Sequence, residues 1–426
     1  MKKRSSPRAA AKPAPVQAEV EIEKLGHEGD GVASVDGHDR FIPFTVPGDR
    51  GLAELAGTRG RMIALRAEGP GRVQPTCPHF GVCGGCVVQH LEAGRYRDWK
   101  RSLVITALKQ RGLDPNVVAP LESVAPGTRR RVTLGFTHAK HGTHLGFHKR
   151  QSHDLIDVAV CPVACSAIVS ALPTVRNALS RFLPSACTGM LHLTATETGL
   201  DLDLRFERAP SASDLVLRES LAQLAKAVDL ARLSVDGEPA LVARAPVVSF
   251  DGLAVRPPPG AFLQPTTEGE HHLMAWVREG LSSTRRVIDL YAGLGTLSLP
   301  LAQYAQIHAV DTATDALTAL AQAAKGLPLT TERRDLARNP VPAALLKSFD
   351  GAMFDPPRAG AAAQAAALAE ARVPRVVAVS CNPATFARDA RLLVDRGYTL
   401  AWVRPLDQFL WSAHVELAAL FLRSQG

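Results

Sequence analysis

From Arg285 onward short apolar runs recur with helical stretches between them: VIDLY, IHAVD, LTTERRD, DGAMFD, RVVAVSC, LAWVRP and HVELAALF. Strand alternating with helix at this spacing predicts a doubly wound α/β domain with a mainly parallel sheet. The helix over 385–396 should end at Gly397, a suitable residue just past a C-terminus. Thr267 and Glu270 have the spacing of a capping box at an earlier helix start. Near the other end, VEIEKLGHEGDGVASVDGHDRFIPFTVPGD breaks its apolar runs with Gly, Asp and Pro. That punctuation predicts short strands and tight turns, hence a small β-barrel. The region between is mixed α+β, with an Ala/Leu-rich helix over 213–229. The organisation read from these patterns is a basic disordered tail (1–16), a barrel (17–75), a central domain (76–255) and an α/β domain (256–426).

Composition narrows the classes. The chain has 426 residues, 46% hydrophobic and 21% charged, which excludes a mostly disordered protein. No apolar run reaches the roughly 18 residues a membrane helix needs. No apolar stretch follows MKKRSSPRAAAKPAPV, so no signal peptide is expected. Seven cysteines, three of them tightly clustered, suit a metal site in a reducing compartment better than a disulfide scaffold, and a cytoplasmic monomer is expected. The net charge of +8 favours a polyanionic partner, and Lys2, Lys3, Arg4, Arg8 and Lys12 add weak attraction for RNA.

Several motifs carry chemistry. In VIDLYAGLGTLSLPLA, Gly293 and Gly295 follow a buried strand and precede a helix, so backbone can approach a ligand at the strand's carboxyl edge. Ser298 stands where a dinucleotide fingerprint has its third glycine. Asp311, ending the next strand, is placed to accept ribose hydroxyls. A nicotinamide cofactor and a plain structural turn are the alternatives. Asp355-Pro356-Pro357 stops the strand GAMF at the same edge. Cys381 follows RVVAVS there and precedes Asn382-Pro383. A helix N-terminus lowers a thiol's pKa, so Cys381 reads as a nucleophile, with a buried small hydrophobe as the alternative. Glu416 lies on an apolar strand, so it is either paired or a proton acceptor, while His414 reads as structural.

CPHFGVCGGC supplies Cys77, Cys83 and Cys86, and Cys161 lies downstream. Four thiolates suit an iron–sulfur cluster or a structural zinc, and spacing alone does not choose. Cys165 is a possible substitute ligand, and Cys187 reads as a core residue. Arg129, Arg130, Arg131, Lys140, Lys149 and Arg150 are interleaved with Phe136, Phe147 and histidines, a mixture suited to phosphate contact and base stacking. A solvated charged strand is the alternative.

Together these motifs resemble the RNA uracil-5 methyltransferase family, over most of the chain. The resemblance is most specific in CPHFGVCGGC with Cys161, FLQP, DLYAGLGTLSLPLA with FDPPRAG, and SCNP followed by HVE. It implies a TRAM-type barrel, a [4Fe-4S] cluster on Cys77, Cys83, Cys86 and Cys161, and a class I domain that binds S-adenosylmethionine. It also implies that Cys381 is the nucleophile and Glu416 the base. Gln264, Tyr291, Gly293, Gly295, Thr296, Asp311, Asp335 and Asp355 would line the cofactor and target pocket. The cluster makes the chain look like the branch acting on 23S rRNA rather than the tRNA branch. The chain departs from the family pattern at Pro265-Thr266 after the glutamine, at Leu410-Trp411 before HVE, and at Ala292. The chemistry implied is thiolate addition to uracil C6, methylation at C5, proton removal and elimination of the thiol. Methylation of a base amino group and a non-catalytic, cluster-bearing RNA-binding factor are the competing readings.

Overall fold

The structure is a computed structural model that describes residues 15–211 and 213–423. The five tail cations lie outside the described residues. Two compact units are present. The first comprises residues up to Gly81 together with Cys86–Trp99 and Trp411–Ala413. The second comprises Val82–Gly85, Lys100–Leu410 and the chain from His414 on.

The first unit holds a six-stranded sheet, built mostly from antiparallel neighbours between Val16–Glu21 and Arg59–Ala67. Val20, Ile22, Ala33, Ile42, Ala53 and Leu55 form its small core. Val16, the last residue assigned to the tail, already pairs with Leu55.

The second unit contains two larger sheets. One has seven strands between Arg131 and Val242. Buried and half-buried residues alternate along its strand Cys187–Thr196, as expected where one face meets the core. The helices Ser166–Phe182 and Asp214–Val228 supply that core's other side. Phe136 and Cys187 sit inside it. Phe136 is therefore a core residue and not a base-stacking one, because the strand's pleat turns it inward.

The other sheet has eight strands. In spatial order they are Leu329–Arg333, Gln306–Asp311, Arg286–Leu290, Gly351–Phe354, Arg375–Ser380, Glu416–Arg423, Tyr398–Asp407 and Glu122–Ser123. The first five are parallel, and Glu416–Arg423 runs antiparallel to both its neighbours. The α/β reading is met. The boundary at residue 256 is not, because Glu122–Ser123 forms the sheet's last strand and Val104, Leu108, Leu113, Val118 and Leu121 pack into the same core. A two-residue edge strand has no periodicity to read, and its partner lies far along the chain.

Helix ends show the same mixture. The helix Pro383–Val394 is followed by Gly397 at φ 90°. The helix Thr267–Gly280, however, is capped by Thr266, whose hydroxyl accepts from Gly269 N at 3.0 Å. Thr267 and Glu270 form no capping box. Glu270 instead turns inward to Arg130.

One buried charge fixes the last connection of the sheet. Lys100 donates to Asp407 Oδ1 at 2.8 Å, to Phe409 O at 3.2 Å and to His414 O. Both side chains of the ion pair are fully buried. Removing one partner strands the other's charge, which typically costs about 3–5 kcal/mol. Lys100→Met is therefore expected to lower unfolding stability by about that amount in urea titration. A change under about 1 kcal/mol would show that the pair is replaceable.

Candidate active site

Strand register builds the site. Ser380 pairs with Leu417 in the antiparallel ladder, so the next step of that register brings Cys381 opposite Glu416. In the parallel part, Leu290 pairs with Val310 and Phe354, and Phe354 pairs with Ala378. Tyr291, Asp311, Asp355 and Cys381 therefore leave their strands at one carboxyl edge, where ligands bind in open α/β sheets.

A chain of amides links the two acids of that edge. Gln264 Nε2 donates to Asp355 Oδ2 at 3.0 Å. Gln408 Nε2 donates both to Gln264 Oε1 at 2.8 Å and to Glu416 Oε2 at 3.0 Å. Gln264, Gln408 and Glu416 are all buried. Burial raises the pKa of both carboxyls, and the charge of Asp355 raises that of Glu416 further, while each amide donor pulls the other way. Gln264 is itself held from behind. Arg130 donates to Gln264 O at 3.2 Å and to Glu270 Oε2 at 2.5 Å, and its backbone N donates to Pro265 O at 2.9 Å. Arg130 was grouped with the phosphate-binding residues, but it is buried and ion-paired. A run of adjacent arginines does not reveal which one the strand turns inward.

Cys381 departs from its expectation. Its thiol is pushed up to about 11, first by burial and then by the charges of Glu416 and Asp355, against the pull of Arg358. The helix N-terminus does not prevail, because Asn382 is its cap and takes the first amides: Asn382 Oδ1 accepts from Ala384 N at 3.0 Å. Asn382 Nδ2 also donates to Arg358 O at 3.1 Å, joining this loop to Asp355-Pro356-Pro357-Arg358. Arg358 donates to His414 Nδ1 at 2.9 Å. Burial, with Arg358, Lys100 and Arg129 nearby, lowers His414 to about 4, so its imidazole is neutral at pH 7.

The cofactor-loop residues gather beside these groups. Gly293 N donates to Asp311 Oδ2 at 2.9 Å, and Ala313 N donates to Asp311 Oδ1 at 2.8 Å. Tyr291 has φ 66°, a conformation that costs a non-glycine residue about 1–3 kcal/mol. A Cβ on Gly293 would meet nothing within 4 Å, whereas one on Gly295 would lie 2.3 Å from Leu320 Cδ1. Gly293 thus borders open space and Gly295 permits close packing. Thr296 is half-buried in the turn, and the helix after it is only Ser298–Leu301. Asp335 accepts from Ala337 N and Arg338 N at 3.1 and 3.2 Å. Asp289 is buried, and burial followed by the charges of Asp355 and Asp311 raises its pKa. This concentration of carboxyl groups suits a cationic ligand.

The cysteine motif is divided between the units. Cys77 and Cys86 belong to the first, Cys83 and Cys161 to the second. Among the described residues no group of three or more His, Cys, Asp or Glu is gathered to hold a metal ion. Cys83 Sγ accepts from Gly85 N at 3.5 Å. Cys165 caps the helix Ser166–Phe182, and Cys187 is buried with its thiol pushed up to about 11, as fits a core residue. Of the remaining basic residues, Lys149 pairs with Asp154 at 3.2 Å, and the Arg131 guanidinium lies 5.4 Å from the ring of exposed Phe262.

Gln408 and Lys100 were not singled out from the sequence, and Arg130, Glu270 and Asn382 were named there without these partners. A glutamine at the end of the apolar strand LAWVRPLD was the available signal for Gln408, since a buried polar residue needs partners. The thiol itself is testable. Alkylation of Cys381 by iodoacetamide, followed by peptide mapping, is expected to rise with pH toward a midpoint near 11. Arg358→Ala should move it higher, because a cation that favours the thiolate is lost. A midpoint below the ordinary cysteine value would contradict this electrostatic account.

Comparison with known proteins agrees with this geometry. A family model described as tRNA (Uracil-5-)-methyltransferase matches residues 331–424. The chain is 41% identical to an uncharacterized RNA methyltransferase of Caulobacter vibrioides, over 94% of this chain and 99% of that one. It is 29% identical to the 23S rRNA (uracil(1939)-C(5))-methyltransferase RlmD of Vibrio vulnificus, over 97% of this chain and 98% of that one. In fold it matches the Pyrococcus abyssi tRNA (uracil-54, C5)-methyltransferase solved with S-adenosyl-L-homocysteine. That match has a TM-score of 0.73 at 22% identity and covers 95% of this chain and 100% of the other. With its α/β edge and its full-length relatives taken together, the chain belongs to the RNA methyltransferase family of those relatives, and its last part matches the uracil-5 model.

Proposed function

We propose that the protein methylates C5 of a uridine in 23S rRNA through a covalent adduct between Cys381 and uracil C6. The observation that carries this reading is that Cys381 follows Ser380, whose partner Leu417 follows Glu416, close enough for the charges of Glu416 and Asp355 to act on its thiol, with Gln264 bonded to Asp355. S-adenosylmethionine is the co-substrate that supplies an electrophilic methyl group. Its positive charge suits the carboxyl groups of Asp311, Asp335 and Asp355, and the open side of Gly293 leaves room for it. Tyr291, Gly295 and Thr296 shape the same loop.

Uracil C5 is a weak nucleophile. The Cys381 sulfur forms a bond to C6, and the electron pair of the C5–C6 double bond becomes an enolate. The thiol proton passes to water as sulfur attacks, since the resting thiol is neutral, and the thiolate released at the end takes a proton back from water. C5 then takes the methyl group, and the donor departs as S-adenosylhomocysteine. Glu416 accepts the C5 proton. The electrons of that C–H bond restore the double bond, and the C6–S bond breaks to return the Cys381 thiolate. Gln264 and Asp355 offer hydrogen-bonding groups to the uracil edge. The base must leave its stack to reach them.

The choice of 23S rRNA rests on what the Vibrio relative is named for and on the cysteine motif. The four cysteines are the proposed ligands of a [4Fe-4S] cluster, to which no catalytic step is assigned. Iron and acid-labile sulfide in anaerobically purified protein should each approach four per chain, falling when Cys86→Ser is introduced. Stoichiometric zinc without sulfide would overturn the cluster.

Cys381→Ala is expected to cut turnover below about a thousandth of wild type. Near-normal turnover would instead favour methylation of a base amino group. Nucleoside mass spectrometry of separated rRNA and tRNA from a deletion strain should show 5-methyluridine lost from large-subunit rRNA alone. Loss from tRNA would retain the chemistry and change the substrate. A protein that fails to bind S-adenosylmethionine would favour a non-catalytic RNA-binding role.

A further inference from the structure

We infer that Gln408 is a positioning residue that fixes which oxygen of Glu416 faces the reacting uracil. Its amide nitrogen has two N–H groups, and both are used, one on Gln264 Oε1 at 2.8 Å and one on Glu416 Oε2 at 3.0 Å. The opposite amide orientation would set an oxygen against two acceptors, so hydrogen bonding selects the one described. Glu416 Oε2 is thereby tied down. Glu416 Oε1 is buried and has no hydrogen-bond partner among the described residues. It is the oxygen left to take a proton.

The seat of Gln408 is built to hold it. The side chain is buried, and Asp407 beside it is held by Lys100. A Cβ on Gly269 would come within 2.5 Å of Gln408 Oε1 and 3.1 Å of its Cβ, so only glycine leaves room there. Through Gln264 the same amide connects Glu416 to Asp355. The base and the groups proposed to read the uracil edge are therefore set by one hydrogen-bonded chain.

This inference rests on the covalent mechanism proposed above, and its test separates the two. In that mechanism Glu416 acts after methyl transfer, so a misdirected carboxylate slows release and not attack. Gln408→Met keeps the bulk and removes both donors. With an rRNA fragment that the wild-type enzyme methylates, kcat should fall by about a hundredfold, the scale of a misplaced catalytic group. KM for the RNA should change less than about twofold. A methylated RNA–protein adduct that survives denaturing electrophoresis should accumulate, where wild type shows little.

A merely structural role would lower activity without accumulating the adduct. If Gln408→Met does not fold, Gln408→Glu, which has the same shape and lacks the amide donors, is read in the same way. Wild-type kcat with no adduct in a folded variant, judged by thermal melting, overturns the role of Gln408. Turnover retained in Cys381→Ala overturns the mechanism beneath it.

Discussion

Two carboxyl groups at one sheet edge, Glu416 buried and Asp355 half-buried, need donors, and meeting that need organises this site. Asp355 and Glu416 repel each other and have both lost water. Two glutamines answer them, with Gln264 on one acid, Gln408 on the other and a hydrogen bond between the amides. Neither amide is left to choose its place. Arg130 grips the carbonyl of Gln264, and Glu270 balances that arginine's charge. Lys100 grips Asp407, next to Gln408, and the carbonyl of His414, two residues before Glu416. Buried ion pairs add little net stability, but breaking one is costly, so such pairs serve well as fixed anchors.

The same environment governs the thiol. Burial and two neighbouring acids keep Cys381 protonated, so the ligand-free enzyme carries little thiolate. Such a cysteine is slow to oxidise or alkylate. Reactivity then belongs to the assembled complex, where uracil and a cationic methyl donor change the charge around sulfur. A helix N-terminus alone does not activate a cysteine whose neighbours are acidic.

The α/β domain was legible because its apolar runs are long, regular and separated by helices. Cys381, Asp355 and Asp311 were legible for the same reason, since each ends a strand whose direction the pattern fixes. Residues 104–123 were not, because their partners lie hundreds of positions away and their strand has two residues. Arg130 and Phe136 were misread as surface groups. Arg130 directly precedes the strand Arg131–Ala139 that holds Phe136, and a mixed run such as RRRVTLGF does not say which of its residues turn inward. Thr266 rather than Thr267 caps its helix, a shift of one residue that leaves Glu270 free to meet Arg130. Gln408 escaped notice because its meaning depends on Gln264, 144 positions away in sequence, as well as on Glu416.

The most direct measurement of the central claim uses RNA carrying 5-fluorouridine in place of the target uridine. Fluorine at C5 cannot leave as a proton does, so methyl transfer should trap the enzyme on its substrate. Peptide mapping of the trapped species should place the RNA on the peptide containing Cys381, with the methyl group and fluorine both retained on the base. Absence of a trapped species under conditions where uridine RNA is turned over, or attachment to any other residue, would contradict the account.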